Sequence, residues 1–264
     1  MTLYRDWWGV SLGDGGVEVH GANGYLVHQF LDSSANRRTD EWGGSPEKRC
    51  KFALEVVKAA IDVWGAGRVG IKLSPSGGFQ DMGMSEEETL ATFGHLLHEL
   101  DQLSIAYVHI QRWFHLFDPV QRGTIFEVST FRSLYKGTLL TNGDYTPAEG
   151  ADALARGEAD AVVFGRHFMA NPDLVERILN GHPLSAFDYS TAYEPGDNGY
   201  LDYKRWEELS GDEQEATRRE WQKAVAEHDR LRAEVPDLIR RQREKEKEKE
   251  KEANGKPQQN GSQA

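Results

Sequence analysis

The chain has 264 residues, 38% of them hydrophobic and 10% aromatic, and a net charge of −12. That length and composition suit one large domain or two small ones with a real core, and the acidic balance argues against a nucleic-acid or anionic-membrane partner. A single cysteine, Cys50, excludes an intrachain disulfide and fits a reducing, cytoplasmic setting, while no stretch reads as a bilayer span or a secretory signal.

Met1 to Asp14 shows neither a helical nor a strand period and reads as an atypical leader over residues 1–15. Gly16 to Val19 is the first predicted strand, followed by a helical turn over Leu26 to Leu31 and a charged loop from Asn36 to Gly44. Ser45-Pro46 then opens a helix, serine as N-cap and proline at the first helical position. It carries Phe52, Leu54, Val56, Val57, Ala60 and Ile61 as its apolar stripe and ends near Trp64-Gly65. Val69 to Leu73 is the second strand, closed by Ser74-Pro75. A glycine-rich loop, Ser76 to Met84, is long enough to reach over a site. Ser85 with Glu88 forms a capping box, and Leu90, Phe93, Leu97 and Leu100 mark one face of the helix from Glu86 to about Leu103.

Ala106 to Ile110 is the third strand, and an aromatic loop from Gln111 to Gly123 follows it. A helix is expected over Phe126 to Tyr135, a fourth strand over Leu139 to Thr141, and a helix from Thr146-Pro147 to Arg156-Gly157. Ala161 to Phe164 is the fifth strand, and a helix runs from Asn171-Pro172 to Asn180-Gly181. Beyond Trp206 the composition changes. Residues 207–239 read as one or two exposed helices, Arg240 to Glu252 as a solvated helix or disorder, and the end as disordered. Strands alternating with helices at this spacing predict an α/β fold of parallel βαβ units, and the short strands favour a TIM-type barrel over an open doubly wound sheet.

Several polar groups fall just past strand ends, where such folds place their chemistry. His20 and Asn23 can donate to one oxygen, and Tyr25 can donate a proton. The competing reading is a buried, satisfied histidine. Gly143-Asp144 and Gly165-Arg166 follow the last two strands, where backbone N–H groups favour an anion and Arg166 can pair with phosphate. Asp144 must then point away from that phosphate. Lys72, at the end of the second strand, supplies a cation in the barrel mouth, or else a lysine reaching for the rim. His20 and His28 lack an obvious third metal ligand.

HGANGYLVHQFL with NRRTDEWGGSPEKR, and then VGIKLSP, LLTNGDYTP, VVFGRHFMANPDL and GYLDY, resemble the old yellow enzyme family of FMN-dependent ene reductases, from about Gly16 to Tyr203. The resemblance implies that His20 and Asn23 clamp the carbonyl oxygen of an enone or enal while Tyr25 protonates the α-carbon. It implies that Gly143, Asp144, Gly165 and Arg166 hold the FMN phosphate and that Lys72 lies at the pyrimidine edge. Tyr193 would lie near the flavin, with NADPH or NADH as hydride donor. Lys72 replaces the family's more frequent arginine, and Ala192 a bulkier aromatic.

The same resemblance makes the five strands the family's fourth to eighth. The threonine and glutamine that its first three units bring to the flavin cannot be carried over. The expectation is therefore a partial barrel over residues 16–206, N-terminally truncated by an incomplete gene model or by repurposing, with a charged tail over 207–264. Five parallel strands are expected to leave two open edges and an uncovered apolar interior, to be covered by another chain (a homo-oligomer or a complementing chain) or by the leader and tail. The alternative is an inactive barrel fragment acting as a binding or interaction protein.

Overall fold

The computed structural model describes residues 15–116, 118, 121–192 and 194–254. The leader up to Asp14, Phe117 and Tyr193 lie outside them. Five strands, β1 (Val17–Gly21), β2 (Val69–Leu73), β3 (Tyr107–Gln111), β4 (Leu139–Asn142) and β5 (Ala161–Val162), form one parallel sheet in sequential order. Among the described residues β1 and β5 each pair on one side only. The helices in chain order are α1 (Leu26–Leu31), α2 (Pro46–Trp64), α3 (Glu86–Leu103), α4 (Val128–Arg132), α5 (Pro147–Ala155), α6 (Arg166–Ala170), α7 (Leu174–Asn180) and α8 (Gly211–Asn254).

Alternation along each strand gives the sheet two unlike faces. Val69, Ile71 and Leu73 of β2, with Val108, Ile110 and Leu139, join one core with Cys50, Ala53 and Val57 of α2, Phe93, Leu96, Leu97 and Leu100 of α3, and Phe131 of α4. Cys50 is packing: its Sγ donates to the Thr92 carbonyl at 3.3 Å, and burial pushes its pKa up to about 12.

The opposite face corrects the expectation of an apolar interior. It presents Glu18, His20, Lys72, Tyr107, His109, Gln111 and Asn142, the residues between the core-facing ones. His109 Nδ1 lies 3.0 Å from Glu18 Oε2, and Tyr107 hydrogen-bonds the same carboxylate. Gly70 sits between them in register, and a Cβ there would overlap the Tyr107 ring. The missing side chain lets the ring cross β2 to reach β1.

Local boundaries differ where side chains compete with the backbone. Ser85 accepts from the Glu88 N–H at 3.3 Å, but the Glu88 carboxylate goes to the buried Arg49 at 2.5 Å, so half of the capping box forms. α4 is shorter than predicted because the Phe126 N–H donates to Ser76 Oγ at 2.8 Å and Glu127 is extended. β5 ends early because the chain turns at Gly165 into α6, a helix the sequence reading lacked.

The largest correction concerns the tail. Residues 211–254 form one helix of 44 residues, about 66 Å long at 1.5 Å per residue. One face of it is docked on the sheet's C-terminal end, while most of its residues, those of 240–248 above all, stay exposed as the sequence reading expects. Trp221, His228, Arg232, Val235, Ile239, Gln242 and Glu246 recur at three-, four- and seven-residue intervals and so share one face. Trp221 meets His167 of α6 at 5.7 Å between ring centroids. His228 and Arg232 reach Glu149 of α5 at 3.0 and 3.1 Å. Val235 is 2% exposed against Trp113 and Ile125. Gln242 accepts from the Ile125 N–H at 2.9 Å and donates to the Gly123 carbonyl at 3.1 Å, and Arg243 pairs with Glu86 of α3 at 3.1 Å. α8 thus crosses the N-terminal ends of α3, α4, α5 and α6. Among the described residues no helix is long and apolar enough to cross a membrane.

Two outcomes are expected. Gly70→Ala should destabilise the fold by about 3 kcal/mol, because the added methyl displaces the Tyr107 ring; the shift of the urea midpoint measures it. The docking of α8 should depend on pH. Burial works against charge on His228, but its hydrogen bonds to Glu149 and Asp229 outweigh that and raise its pKa above 6.5. Burial likewise opposes charge on Glu149, yet His228, Arg112 and Arg232 hold its pKa well below 4.5. The His228 contribution is complete below its unfolded pKa and disappears as pH rises through the raised folded value; the Glu149 contribution is complete above its unfolded pKa and disappears as pH falls through the depressed one. The protection of the α8 amides, taken relative to the intrinsic exchange rate at each pH, should therefore be greatest near pH 6 and fall on the alkaline side. His228→Gln should remove the alkaline limb.

Candidate functional site

β1 runs straight into the turn that carries its polar groups. Asn23 takes a left-handed conformation at φ 56°, which asparagine tolerates better than most residues. Its N–H donates to Ser74 Oγ at the end of β2, at 2.7 Å. The next N–H, of Gly24, donates to His28 Nδ1 at 3.1 Å, and Ser74 Oγ lies 3.3 Å from the same nitrogen. Gly24 has φ 71°, and a Cβ on it would stand 2.7 Å from Gln80 Cβ, so the turn is pressed under the β2–α3 loop. His28 is fully enclosed, and burial, ahead of the opposing pull of Asp32, brings its pKa down to about 4. It is therefore a neutral acceptor that fixes the turn. The sequence offered one signal for this role, a histidine on the apolar side of α1.

His20 is exposed, so the reading of it as a buried, satisfied histidine does not hold. Its ring centroid lies 5.1 Å from that of Tyr25, which is 51% exposed at the start of α1. Partial burial and then the charge of Lys72, its neighbour in register, lower the His20 pKa below the usual histidine value, which favours the neutral imidazole with one N–H to donate. Lys72 lies on the same sheet face. Burial lowers its pKa and the Glu18 carboxylate opposes that shift. Glu18, absent from the sequence reading, thus offsets part of the lysine's positive field.

The turns after β4 and β5 lie together. Arg112, directly after β3, is buried and reaches into the first of them. Its Nε donates to the Gly143 carbonyl at 2.6 Å and its Nη2 to the Asp144 carbonyl at 2.9 Å. The same guanidinium grips Glu149 through two nitrogens at 2.5 and 2.6 Å and stacks 3.5 Å from the Tyr145 ring centroid. Gly143 has φ 119° and no room for a Cβ against Arg112. The Asp144 carboxylate lies 2.9 Å from Arg166 Nη2, and Arg166 sits 5.5 Å from both the Phe114 and the Tyr189 ring centroids. Around Gly165, by contrast, an added Cβ would meet nothing within 4 Å. Tyr193 falls outside the described residues, so its place relative to these turns is not defined.

The loops after β2 and β3 close the other side. The Gly77 N–H donates to the Thr124 carbonyl at 3.0 Å, and a Cβ on Gly123 would overlap the Gly77 backbone. Among the described residues, buried side-chain atoms lacking a hydrogen-bond partner gather here: Asn23 Oδ1, Trp113 Nε1, Asp118 Oδ2 and Asn142 Oδ1, with His109 Nε2 below them. Four of these five lie at or beyond the C-terminal ends of strands, so polar groups capable of holding a ligand converge at this end of the sheet.

A family profile described as the NADH:flavin oxidoreductase / NADH oxidase family matches residues 10–185. The chain is 43% identical over 194 residues to a probable flavin mononucleotide-dependent alkene reductase of Leishmania infantum, covering 74% of this chain and 51% of that protein. It is 41% identical over 198 residues to a probable inactive dehydrogenase, easA, of Claviceps purpurea, covering 71% and 52%. Among solved structures, the old yellow enzyme of Trypanosoma cruzi superposes with a TM-score of 0.67 at 35% identity, over 72% of this chain and 50% of that one. Morphinone reductase does so with 0.66 at 39% identity, over 73% and 51%. The chain spans about half the length of the curated relatives it matches, and its open sheet is the corresponding part of their TIM-type barrel. By a match that covers more than half its length, the chain belongs to the NADH:flavin oxidoreductase / NADH oxidase family.

Proposed function

We propose that this chain takes part in reducing the activated C=C bond of an α,β-unsaturated carbonyl compound with FMN as its cofactor. The observation that supports the reading is the braced turn at the end of β1, which carries Asn23 and sets the His20 and Tyr25 rings 5.1 Å apart with both residues exposed. When bound, FMN supplies a hydride that it has taken from NADPH or NADH. The residues at the sheet's end fit such a group. Gly165 is open, Arg166 stands next to it, Lys72 projects from the inner face, and unpartnered buried polar atoms line the mouth.

Each of this chain's groups then has one task. His20 and Asn23 donate to the substrate carbonyl oxygen and draw charge from the β-carbon, as preorganised donors do for developing negative charge. Tyr25, at the open edge of the same turn, donates its phenolic proton to the α-carbon. Lys72 offers positive charge on the inner face, moderated by Glu18, and the backbone of Gly143 and Gly165 with Arg166 receives the phosphate. Tyr193 belongs to the same proposal as a residue beside the flavin. A cytoplasmic setting suits a chain whose one thiol is structural.

A second reading, a non-catalytic barrel fragment acting in binding, draws on the sides of β1 and β5 that pair with no strand among the described residues. These are edges to which another strand can add, from a second copy or a complementing chain.

The purified chain should carry, or take up on reconstitution, a yellow chromophore with the absorbance of bound FMN. Tyr25→Phe should keep that chromophore and lose about 100-fold in enone reduction, the usual scale for removing a general acid. A folded, colourless protein that cannot be reconstituted overturns the flavin reading, and equal turnover by Tyr25→Phe overturns the role of Tyr25.

A further inference from the structure

The pairing between the two phosphate-side turns carries an inference about ligand charge. Asp144 and Arg166 are the acidic and basic residues of these turns, and their side chains meet each other at 2.9 Å. Neither is free to withdraw with its backbone. Arg112 fastens the carbonyls of Gly143 and Asp144, and Gly143 packs on the Arg112 stem, where a Cβ would stand 2.7 Å from Cγ. Arg166 is flanked by the Phe114 and Tyr189 rings. A guanidinium held in this way is already matched with one anionic oxygen. A phosphate dianion arriving at Gly165 must share it with a carboxylate of its own sign, and like charges at this range oppose each other.

We propose that Asp144 is a specificity-determining residue. It occupies the guanidinium that a terminal phosphate would use and makes the cradle discriminate weakly between the phosphorylated flavin, FMN, and the uncharged riboflavin. The proposal deepens the flavin reading and rests on it. It assigns selectivity to a side chain whose backbone is strained for a non-glycine residue, at φ 60°. Asp144→Gly should therefore be tolerated by the turn, and Asp144→Asn keeps the side chain's shape while removing its charge.

The test is titration of the 264-residue chain with FMN and with riboflavin, followed by quenching of flavin fluorescence. In the wild type the two dissociation constants should lie within about three-fold. In Asp144→Asn and in Asp144→Gly the FMN constant should fall about ten-fold and the riboflavin constant should stay put. Adding Arg166→Gln to Asp144→Asn should return the ratio to near the wild-type value, because the freed guanidinium is the source of the gain. If riboflavin and FMN both bind and their ratio is the same in wild type and both single variants, the assignment to Asp144 is wrong while the flavin site stands. Failure of wild type and variants, folded by circular dichroism, to bind either flavin removes the flavin reading and this inference with it.

Discussion

The pair between the buried Arg112 and the half-buried Glu149 ties the β3–β4 ladder to a helix that follows it and, through Glu149, to α8. Arg112 belongs to the end of β3, Glu149 to the first turn of α5, and the two carbonyls that Arg112 also holds belong to the turn after β4. Glu149 then receives His228 and Arg232 from α8. Withdrawing one partner from such a pair leaves an uncompensated charge out of water, which costs far more than the pair contributes when intact. The position of the turn after β4 and the His228–Arg232 part of the docking of the long C-terminal helix therefore depend on one guanidinium. The full set of bonds around it explains why a charged group can be buried there at all.

The sheet itself follows from the two-residue period of its strands. Residues of odd number in β1, β2 and β4, and of even number in β3, face the helices and form the core. The alternate residues carry nearly all the ionisable chemistry on the other face. In register, His20 stands beside Lys72, and Lys72 beside His109. That layering sets the electrostatics of the proposed site. Lys72 biases His20 toward its neutral form, and Glu18 softens the field of Lys72.

Much of this was legible in the sequence. The strands at Val17, Val69, Tyr107 and Leu139 announce themselves by short apolar runs between turn residues, and Ser45-Pro46 and Thr146-Pro147 mark their helix starts by chemistry that acts locally. What escaped were outcomes set by distant partners. Half of the Ser85–Glu88 box is lost because Arg49, far away in sequence, claims the Glu88 carboxylate. The stripe on α8 looks polar because its contacts are mostly ion pairs and a bridging glutamine, with Val235 its fully enclosed apolar member. A hydropathy reading takes such a helix for a solvated one. Asp144 was recognised as awkward for a phosphate, but that its carboxylate would close on Arg166 depended on the approach of two separate turns.

The seam between Gly77 and Gly123 has a consequence for how this rim can vary. A Cβ on Gly123 would overlap the Gly77 backbone, and a Cβ on Gly77 would stand 2.7 Å from the Trp113 ring of the opposite loop. A larger residue on either side pushes the opposite loop, so the two positions are constrained jointly rather than one at a time. Reshaping the entrance to accept a bulkier guest would have to proceed by paired changes across that seam.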